Sequence, residues 1–170
     1  LAELTSGDDA RAEDSIPAIA ALGMAVMPAL LDLTRAEEVD IRWWAVRALA
    51  ASPHTRTEDL LPLLMDSAPE VRAATALALC NHPHESAVEA LIKTLADEDS
   101  LTAGLAGNAL AKIGSPSVPG LIELMDARVE PGRNEAPAGI RILALRTLSE
   151  IRDQRAIPVM MKSLGDESAL

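Results

Sequence analysis

Aromatic residues and basic charge are both scarce in this chain. It contains no phenylalanine or tyrosine, and its aromatic content is limited to Trp43 and Trp44. Sites for single-stranded nucleic acid stack successive bases on several aromatic side chains. Lysine and arginine are outnumbered by aspartate and glutamate, 15 against 26, which gives a formal net charge of −11. Because phosphate backbones and anionic membrane surfaces attract clustered basic residues, the composition argues against nucleic acid and membranes as partners.

Cysteine and long apolar runs are scarce as well. The single cysteine, Cys80, excludes an internal disulfide and fits a reducing compartment, so we expect a cytoplasmic protein. No apolar run approaches the roughly 20 residues of a membrane span, and the start of the chain has no signal-peptide pattern.

What the chain has in abundance is alanine and leucine. Apolar residues make up 49% of the 170 residues, which is enough for a sizeable core. Alanine and leucine are the best helix formers, whereas the aromatic and β-branched residues that favour strands are few. An all-α protein is predicted.

A short pattern recurs along the chain, with an Ala-Leu or Thr-Leu pair near the end of a predicted helix. The steps between the leucines are 27, 30, 31 and 38 residues. A period near 30 is typical of helical repeats, in which each helix pair buries its apolar face only against its neighbours. The pairs are Ala21-Leu22, Ala48-Leu49, Ala78-Leu79, Ala109-Leu110 and Thr147-Leu148.

We therefore predict a single domain over residues 1–170, a right-handed α-solenoid of about five helix-turn-helix repeats. The repeats are expected at residues 8–36, 37–67, 68–98, 99–127 and 137–166, with an insertion loop at 128–139 that is rich in Pro, Gly and charge. The chain opens with Leu1 and stops inside a predicted link, so we expect a fragment of a longer array.

Local signals refine these boundaries. Pro17 is unfavourable inside a helix, so the first helix is expected to start late, near Ser15. Thr57 is the expected N-cap of the second helix of repeat two, and Pro62 should shorten that helix. Gly104 and Gly107 in repeat four indicate close packing of helices, since each costs about 1 kcal/mol relative to alanine.

Two segments resemble a known family: PEVRAATALAL at Pro69–Leu79 and RDQRAIPVMMKSLGDES at Arg152–Ser168. They are similar to HEAT repeats, specifically the short variety named after the phycobilisome lyases. That variety has a Val-Arg start, an Ala-Leu end, a Pro entry into the second helix and a closing Asp. The positions that match the Val-Arg start are Ile41-Arg42, Val71-Arg72 and Ile140-Arg141. The Pro entry is matched by Pro28, Pro119 and Pro158, and the closing Asp by Asp66, Asp97 and Asp166. The resemblance implies an armadillo-type helical fold, which hosts many unrelated functions.

The recurring arginine and aspartate have a physical interpretation of their own. One Arg and one Asp per repeat can form charge-assisted hydrogen bonds that tie the links to the helix ends. For Arg42, Arg72 and Arg141 we expect this structural role, with ligand binding as the alternative.

The tryptophan pair is the most informative departure from the repeat. Trp44 is expected to pack between repeats, while Trp43 faces outward with Arg47 one turn away, where a cation–π contact can form. An exposed Trp beside Arg is typical of a binding hot spot. The alternative is that both rings pack against neighbouring helices.

Cys80, His82 and His84, with Glu85 nearby, are weak candidates for a metal site. Their spacing matches no strong zinc signature, and Pro-His turns are often solvent-facing. His84-Glu85 also resembles the His-Glu pairs of the HEAT-repeat enzyme deoxyhypusine hydroxylase, but three histidines are too few for that set. We predict no metal and no cofactor.

The leading functional hypothesis is a non-enzymatic interaction module that binds a basic or mixed protein surface, since no residue stands out as a catalyst. Two alternatives remain: a bilin lyase or chaperone, as the resemblance implies, and a HEAT-like DNA glycosylase, which the charge opposes. The predicted binding residues are Trp43, Arg47, Glu58, Glu85, Glu89, Lys93, Glu123 and Lys162.

Overall fold

The computed structural model describes residues 1–126 and 137–164, and within these ranges all regular secondary structure is helical. The prediction of an all-α fold is confirmed. None of the helices in this part of the chain has the length and hydropathy that crossing a membrane requires. The α-helices are α1 (Asp9–Ala21), α2 (Met27–Leu33), α3 (Val39–Ala51), α4 (Thr57–Leu60), α5 (Pro69–Asn81), α6 (Val88–Thr94), α7 (Ser100–Ile113), α8 (Val118–Asp126), α9 (Ala138–Ile151) and α10 (Ile157–Leu164).

The chain divides into two compact units, an N-terminal unit (Leu1–His82) and a C-terminal unit (Pro83–Leu170). In the N-terminal unit, α3 packs against α1, α2 and α5. In the C-terminal unit, α6 packs against α7 and α8, and α9 packs against the same two helices. Helix pairs therefore pack on neighbouring pairs within each unit, as expected for helical repeats. The single domain over residues 1–170 stays a prediction.

The leucine of the recurring pair is the central core residue of repeats two to five. Leu49, Leu79, Leu110 and Leu148 are completely buried, each next to a buried alanine or threonine. Complete burial of a leucine side chain contributes roughly 1.5–3 kcal/mol, and the small neighbour lets the next helix approach closely. The alignment of these four leucines is confirmed, and the bounds of the repeats stay a prediction.

Repeat one does not follow this phase. Leu22 is 58% exposed because α1 ends at Ala21 and Leu22 already lies in the turn. The core positions of α1 are instead Ala12, Ile16 and Ile19, spaced four and three residues apart on one face. The alignment of Ala21-Leu22 with the later pairs is therefore wrong.

Helix α1 also starts earlier than Pro17 suggested. It begins at Asp9, because the Asp8 carboxylate accepts hydrogen bonds from the N–H groups of Ala10 and Arg11, at 3.0 and 3.1 Å. Pro17 lies inside the helix with its ring exposed. Capping and the burial of Ala12 fix the first turn despite the proline.

Two further boundaries differ from expectation. Thr57 is the first residue of α4 rather than its N-cap, and its hydroxyl donates to the carbonyl of His82 at 3.0 Å. As predicted, Pro62 shortens this helix, which stops at Leu60 and continues as a 3₁₀ helix over Leu61–Met65. Helix α9 begins at Ala138, inside the predicted insertion loop, while residues 128–136 of that loop lie outside the described residues.

The glycines of α7 have different surroundings. A methyl group on Gly107 would lie 3.0 Å from the hydroxyl of Thr147 on α9, which confirms the predicted close packing. A methyl group on Gly104 would have no described neighbour within 4 Å, so the packing role predicted for Gly104 is wrong.

Candidate functional site

A groove lies between α6 and α8 in the C-terminal unit, and it contains four of the predicted binding residues. Its volume is about 590 Å³. One wall comes from α6 and the short 3₁₀ helix before it (Glu85–Ala87), and the other wall comes from α8. The lining residues are Glu85, Ser86, Val88, Glu89, Ile92, Lys93, Gly120, Glu123 and Leu124.

The apolar floor of the groove follows from the way the two helices pack. Leu91 of α6 and Leu121 of α8 are completely buried, and each therefore fixes the inward face of its helix. The next residue of α6, Ile92, is only partly covered and lies in the groove. Gly120 faces Ile92, and a methyl group at Gly120 would collide with the Ile92 Cδ1 atom. Glycine at this position thus lets α6 and α8 approach closely.

The rim of the groove is acidic. Glu85, Glu89 and Glu123 are all exposed, and among the described residues of the lining Lys93 is the single basic one. Lys93 pairs with Glu89 one turn earlier, with Nζ 2.7 Å from Oε1, and its hydrogen bond lowers the pKa of Glu89. Within the described residues, Glu85 and Glu123 have no ion pair, so two hydrated carboxylates remain available to a cation on a partner.

Two predicted residues lie outside this groove. Lys162 of α10 binds Asp126 at the end of α8, with Nζ 3.0 Å from Oδ1. Glu58 is exposed in the first turn of α4 and belongs to the N-terminal unit. The structure therefore brings together Glu85, Glu89, Lys93 and Glu123, but neither of these two.

The predicted contact between Trp43 and Arg47 is present in the N-terminal unit. The Arg47 Cζ atom lies 5.3 Å from the centre of the Trp43 ring, within cation–π range, and Glu13 of α1 binds the same guanidinium at 2.6 Å. Trp44 is buried, as expected, and its ring meets that of Trp43 edge to face. Trp43 itself is half-buried rather than fully exposed.

Cys80, His82 and His84 each have a local partner of their own. The Cys80 thiol donates to the carbonyl of Ala76 at 3.5 Å, and His82 Nε2 donates to the carbonyl of Ala50 at 3.1 Å. His84 Nδ1 accepts from the N–H of Ser86 and caps the short 3₁₀ helix. In the part of the chain that the structure describes, no group of three or more His, Cys, Asp or Glu side chains has an arrangement that could hold a metal ion.

Sequence reasoning missed the apolar half of the groove. Val88, Gly120 and Leu124 line it, but none of them was singled out from the sequence. The only available signal was Pro119-Gly120 at the entry to α8, where a glycine inside a short apolar helix indicates close approach. Which residues of α6 and α8 meet depends on how the two helices cross, and the sequence does not specify this.

The packed helix pairs and their repeating buried leucines define a helical-repeat protein of the α-solenoid class. Residues 57–139 match the HEAT repeats family, and residues 140–166 match the PBS lyase HEAT-like repeat. These two matches cover more than half of the chain, and the chain belongs to the HEAT-repeat family. The resemblance seen in the sequence is confirmed.

Solved structures with the same fold include natural and engineered proteins. One match is a chain in the structure of the complex of CpcE and CpcF of phycocyanin lyase from Nostoc sp. PCC7120. It is 22% identical, with a TM-score of 0.59, and the match covers 82% of this chain and 90% of the matched chain. An engineered protein is 23% identical, with a TM-score of 0.57, and the match covers 96% of this chain and 83% of the engineered chain. A designed armadillo repeat protein in complex with the peptide (KR)4 is 19% identical, with a TM-score of 0.51. That match covers 98% of this chain and 92% of the designed chain. No match was found among curated protein sequences.

Proposed function

We propose that this protein is a binding module without catalysis of its own, and that the groove between α6 and α8 receives a basic segment of a protein partner. The observation that carries the proposal is the combination of a partly exposed apolar floor with an acidic rim. Ligand sites are mostly apolar and contain a few polar groups that fix orientation. Here three of the polar groups are carboxylates, and the one described cation, Lys93, is paired with Glu89, so a complementary partner carries positive charge.

The groove favours a segment in which basic and apolar side chains alternate. Leucine-like side chains would cover Ile92 and Leu124 and remove apolar surface from water, at roughly 25 cal/mol per Å². Lysine or arginine would bind Glu85 and Glu123, which lack ion pairs within the described residues. Because these carboxylates are exposed, the electrostatic part of the affinity should fall as salt screens it.

The comparisons support this proposal at the level of the fold. CpcE and CpcF are described as a complex with one another, and the designed armadillo repeat protein is described in complex with the basic peptide (KR)4. Helical repeats with this fold thus present surfaces both to other proteins and to basic peptides.

Short fluorescent peptides test the proposed chemistry. One peptide alternates lysine with leucine, a second alternates lysine with serine, and a third alternates glutamate with leucine. Fluorescence anisotropy at low and high salt should show the tightest binding for the lysine-leucine peptide and a loss of affinity at high salt. Equal binding of the glutamate-leucine peptide, or binding that is indifferent to salt, would contradict the proposal.

A second candidate function is the handling of a bilin, because residues 140–166 match the PBS lyase HEAT-like repeat. Bilins carry propionate groups, and the three glutamates around the α6–α8 groove would repel them. Incubation with phycocyanobilin distinguishes the two functions. A shift in its visible absorbance on addition of the protein would support the second function, whereas an unchanged spectrum would remove it.

A further inference from the structure

A second groove lies in the N-terminal unit, where the first turns of α1, α3 and α5 come together. Its volume is about 660 Å³. Asp9 opens α1, Asp40 is the second residue of α3, and Glu70 is the second residue of α5. The lining consists of Asp9, Val39, Asp40, Trp43, Trp44 and Glu70.

The two indole rings form a corner in this groove. Their centres are 4.7 Å apart and their planes meet at 82°, an edge-to-face arrangement in which burial of Trp44 holds Trp43 in place. The face of an indole carries negative electrostatic potential and attracts cations. Arg47 makes such a cation–π contact with Trp43. The Arg47 guanidinium is also bound by Glu13, and Arg47 is not among the residues that line the groove.

The charged residues described in the lining of this groove are all acidic. Asp9, Asp40 and Glu70 are exposed, and within residues 1–126 and 137–164 none of their side chains has a hydrogen bond or an ion pair. The positive end of the helix dipole accounts for an acidic residue in the first turn of each helix. It does not account for the half-buried indole of Trp43 among them or for the lack of any lysine or arginine among the described residues of the lining.

We propose that this groove binds an arginine side chain of a protein partner. A guanidinium group is planar, stacks on aromatic faces and forms two parallel hydrogen bonds to a carboxylate. It is also less strongly hydrated than the ammonium of lysine, so it loses less when it leaves water to lie on an indole. Trp43 supplies the stacking surface, while Asp40 and Glu70 supply acceptors. The site is separate from the α6–α8 groove and does not depend on the function proposed for it.

Tryptophan fluorescence reports this site directly, because the chain has two tryptophans and no tyrosine, and both tryptophans line the groove. The probe is an acetylated and amidated peptide of alternating glycine and arginine. The control peptide contains citrulline, the neutral analogue of arginine with nearly the same shape. We expect a saturable change in emission with the arginine peptide and about tenfold weaker binding of the citrulline peptide. Equal responses to the two peptides, or no saturable response, would overturn the proposal.

Variants distinguish the groove from general attraction to an acidic protein. Asp40→Asn with Glu70→Gln removes two charges and keeps both shapes. Glu37→Gln with Glu38→Gln removes the same charge from exposed positions before α3, outside the groove lining. The first variant should bind the arginine peptide about tenfold more weakly, and the second should bind it like the wild type. Equal weakening in both variants would show that only net charge matters and would overturn the assignment.

A lysine peptide tests the choice of arginine. If stacking on Trp43 contributes, the glycine-lysine peptide should bind severalfold more weakly than the glycine-arginine peptide at the same salt concentration. Equal or tighter binding of the lysine peptide would overturn the arginine assignment. The Glu85→Lys, Glu123→Lys variant of the other groove should keep the full fluorescence response, so failure of either proposal can be recognised separately.

Discussion

Arg42 and Asp66 form a two-point ion pair that ties the start of α3 to the link after the next helix. Arg42 Nε donates to Asp66 Oδ2 and Nη2 donates to Oδ1, both at 2.8 Å, and each side chain is only about a tenth exposed. Arg42 Nη1 also donates to the carbonyls of Ala36 and Glu37. The link before α3 and the link that begins at Asp66 are thus held by one guanidinium. This confirms the structural role expected for Arg42.

Substitution Asp66→Asn should destabilise the fold strongly. The amide keeps the shape of the carboxylate but leaves the buried guanidinium without its counter-ion, which costs about 3 kcal/mol. Urea denaturation followed by circular dichroism measures the loss. Asp32→Asn is the matched control, because Asp32 and Arg35 are paired at 3.3 Å on the surface, and that loss should stay below about 1 kcal/mol. Similar losses in both variants would contradict a special role for the Arg42–Asp66 pair.

The same pair should make stability depend on pH in one direction. Hydrogen bonds from Arg42, and secondarily from the N–H of Ala68, hold the pKa of Asp66 below its ordinary value of 3.8. A lowered pKa in the folded state means that the stabilisation is complete above 3.8 and is lost as pH falls through the folded-state pKa. The difference in unfolding free energy between wild type and Asp66→Asn should therefore be constant at neutral pH and shrink below pH 3.8. A difference that grows on acidification would contradict this.

The two glycines of α7 should respond oppositely to alanine. Gly104→Ala meets no described neighbour and gains helix propensity, so it should stabilise the protein by about 0.5–1 kcal/mol. Gly107→Ala should instead destabilise it by about 1 kcal/mol or more. Its methyl group would press on the hydroxyl of Thr147, which is buried and fixed by a 2.9 Å hydrogen bond to Leu143. Thermal unfolding of the two variants gives the comparison, and equal gains would refute the packing role of Gly107.

The core could be predicted from the sequence where the repeat is regular. Leu49, Leu79, Leu110 and Leu148 lie at the same phase of their helices, so the period of the pattern was enough to identify them as buried. Leu22 was misassigned because its two-residue pattern matched, although α1 ends one residue earlier. The point at which a helix ends depends on caps and turns that the Ala-Leu pair alone does not specify.

The candidate sites could be predicted only in part. Glu89, Lys93 and Glu123 were predicted from the sequence as binding residues, but their convergence around Ile92 depends on the crossing of α6 and α8. Asp40 and Glu70 were not singled out from the sequence, because an acidic residue in the first turn of a helix is sufficiently explained by the helix dipole. Their position around Trp43 involves residues about 30 apart in sequence and became visible only in the packed unit.

The central claim is that the α6–α8 groove recognises a partner through its charge. The most direct test is the affinity of the lysine-leucine peptide for Glu85→Lys, Glu123→Lys, measured against Glu37→Lys, Glu38→Lys, which changes the net charge equally outside the groove. The groove variant should lose affinity at least about tenfold and gain affinity for the glutamate-leucine peptide, while the control should shift much less. Equal affinities of the two variants for the lysine-leucine peptide would contradict the claim.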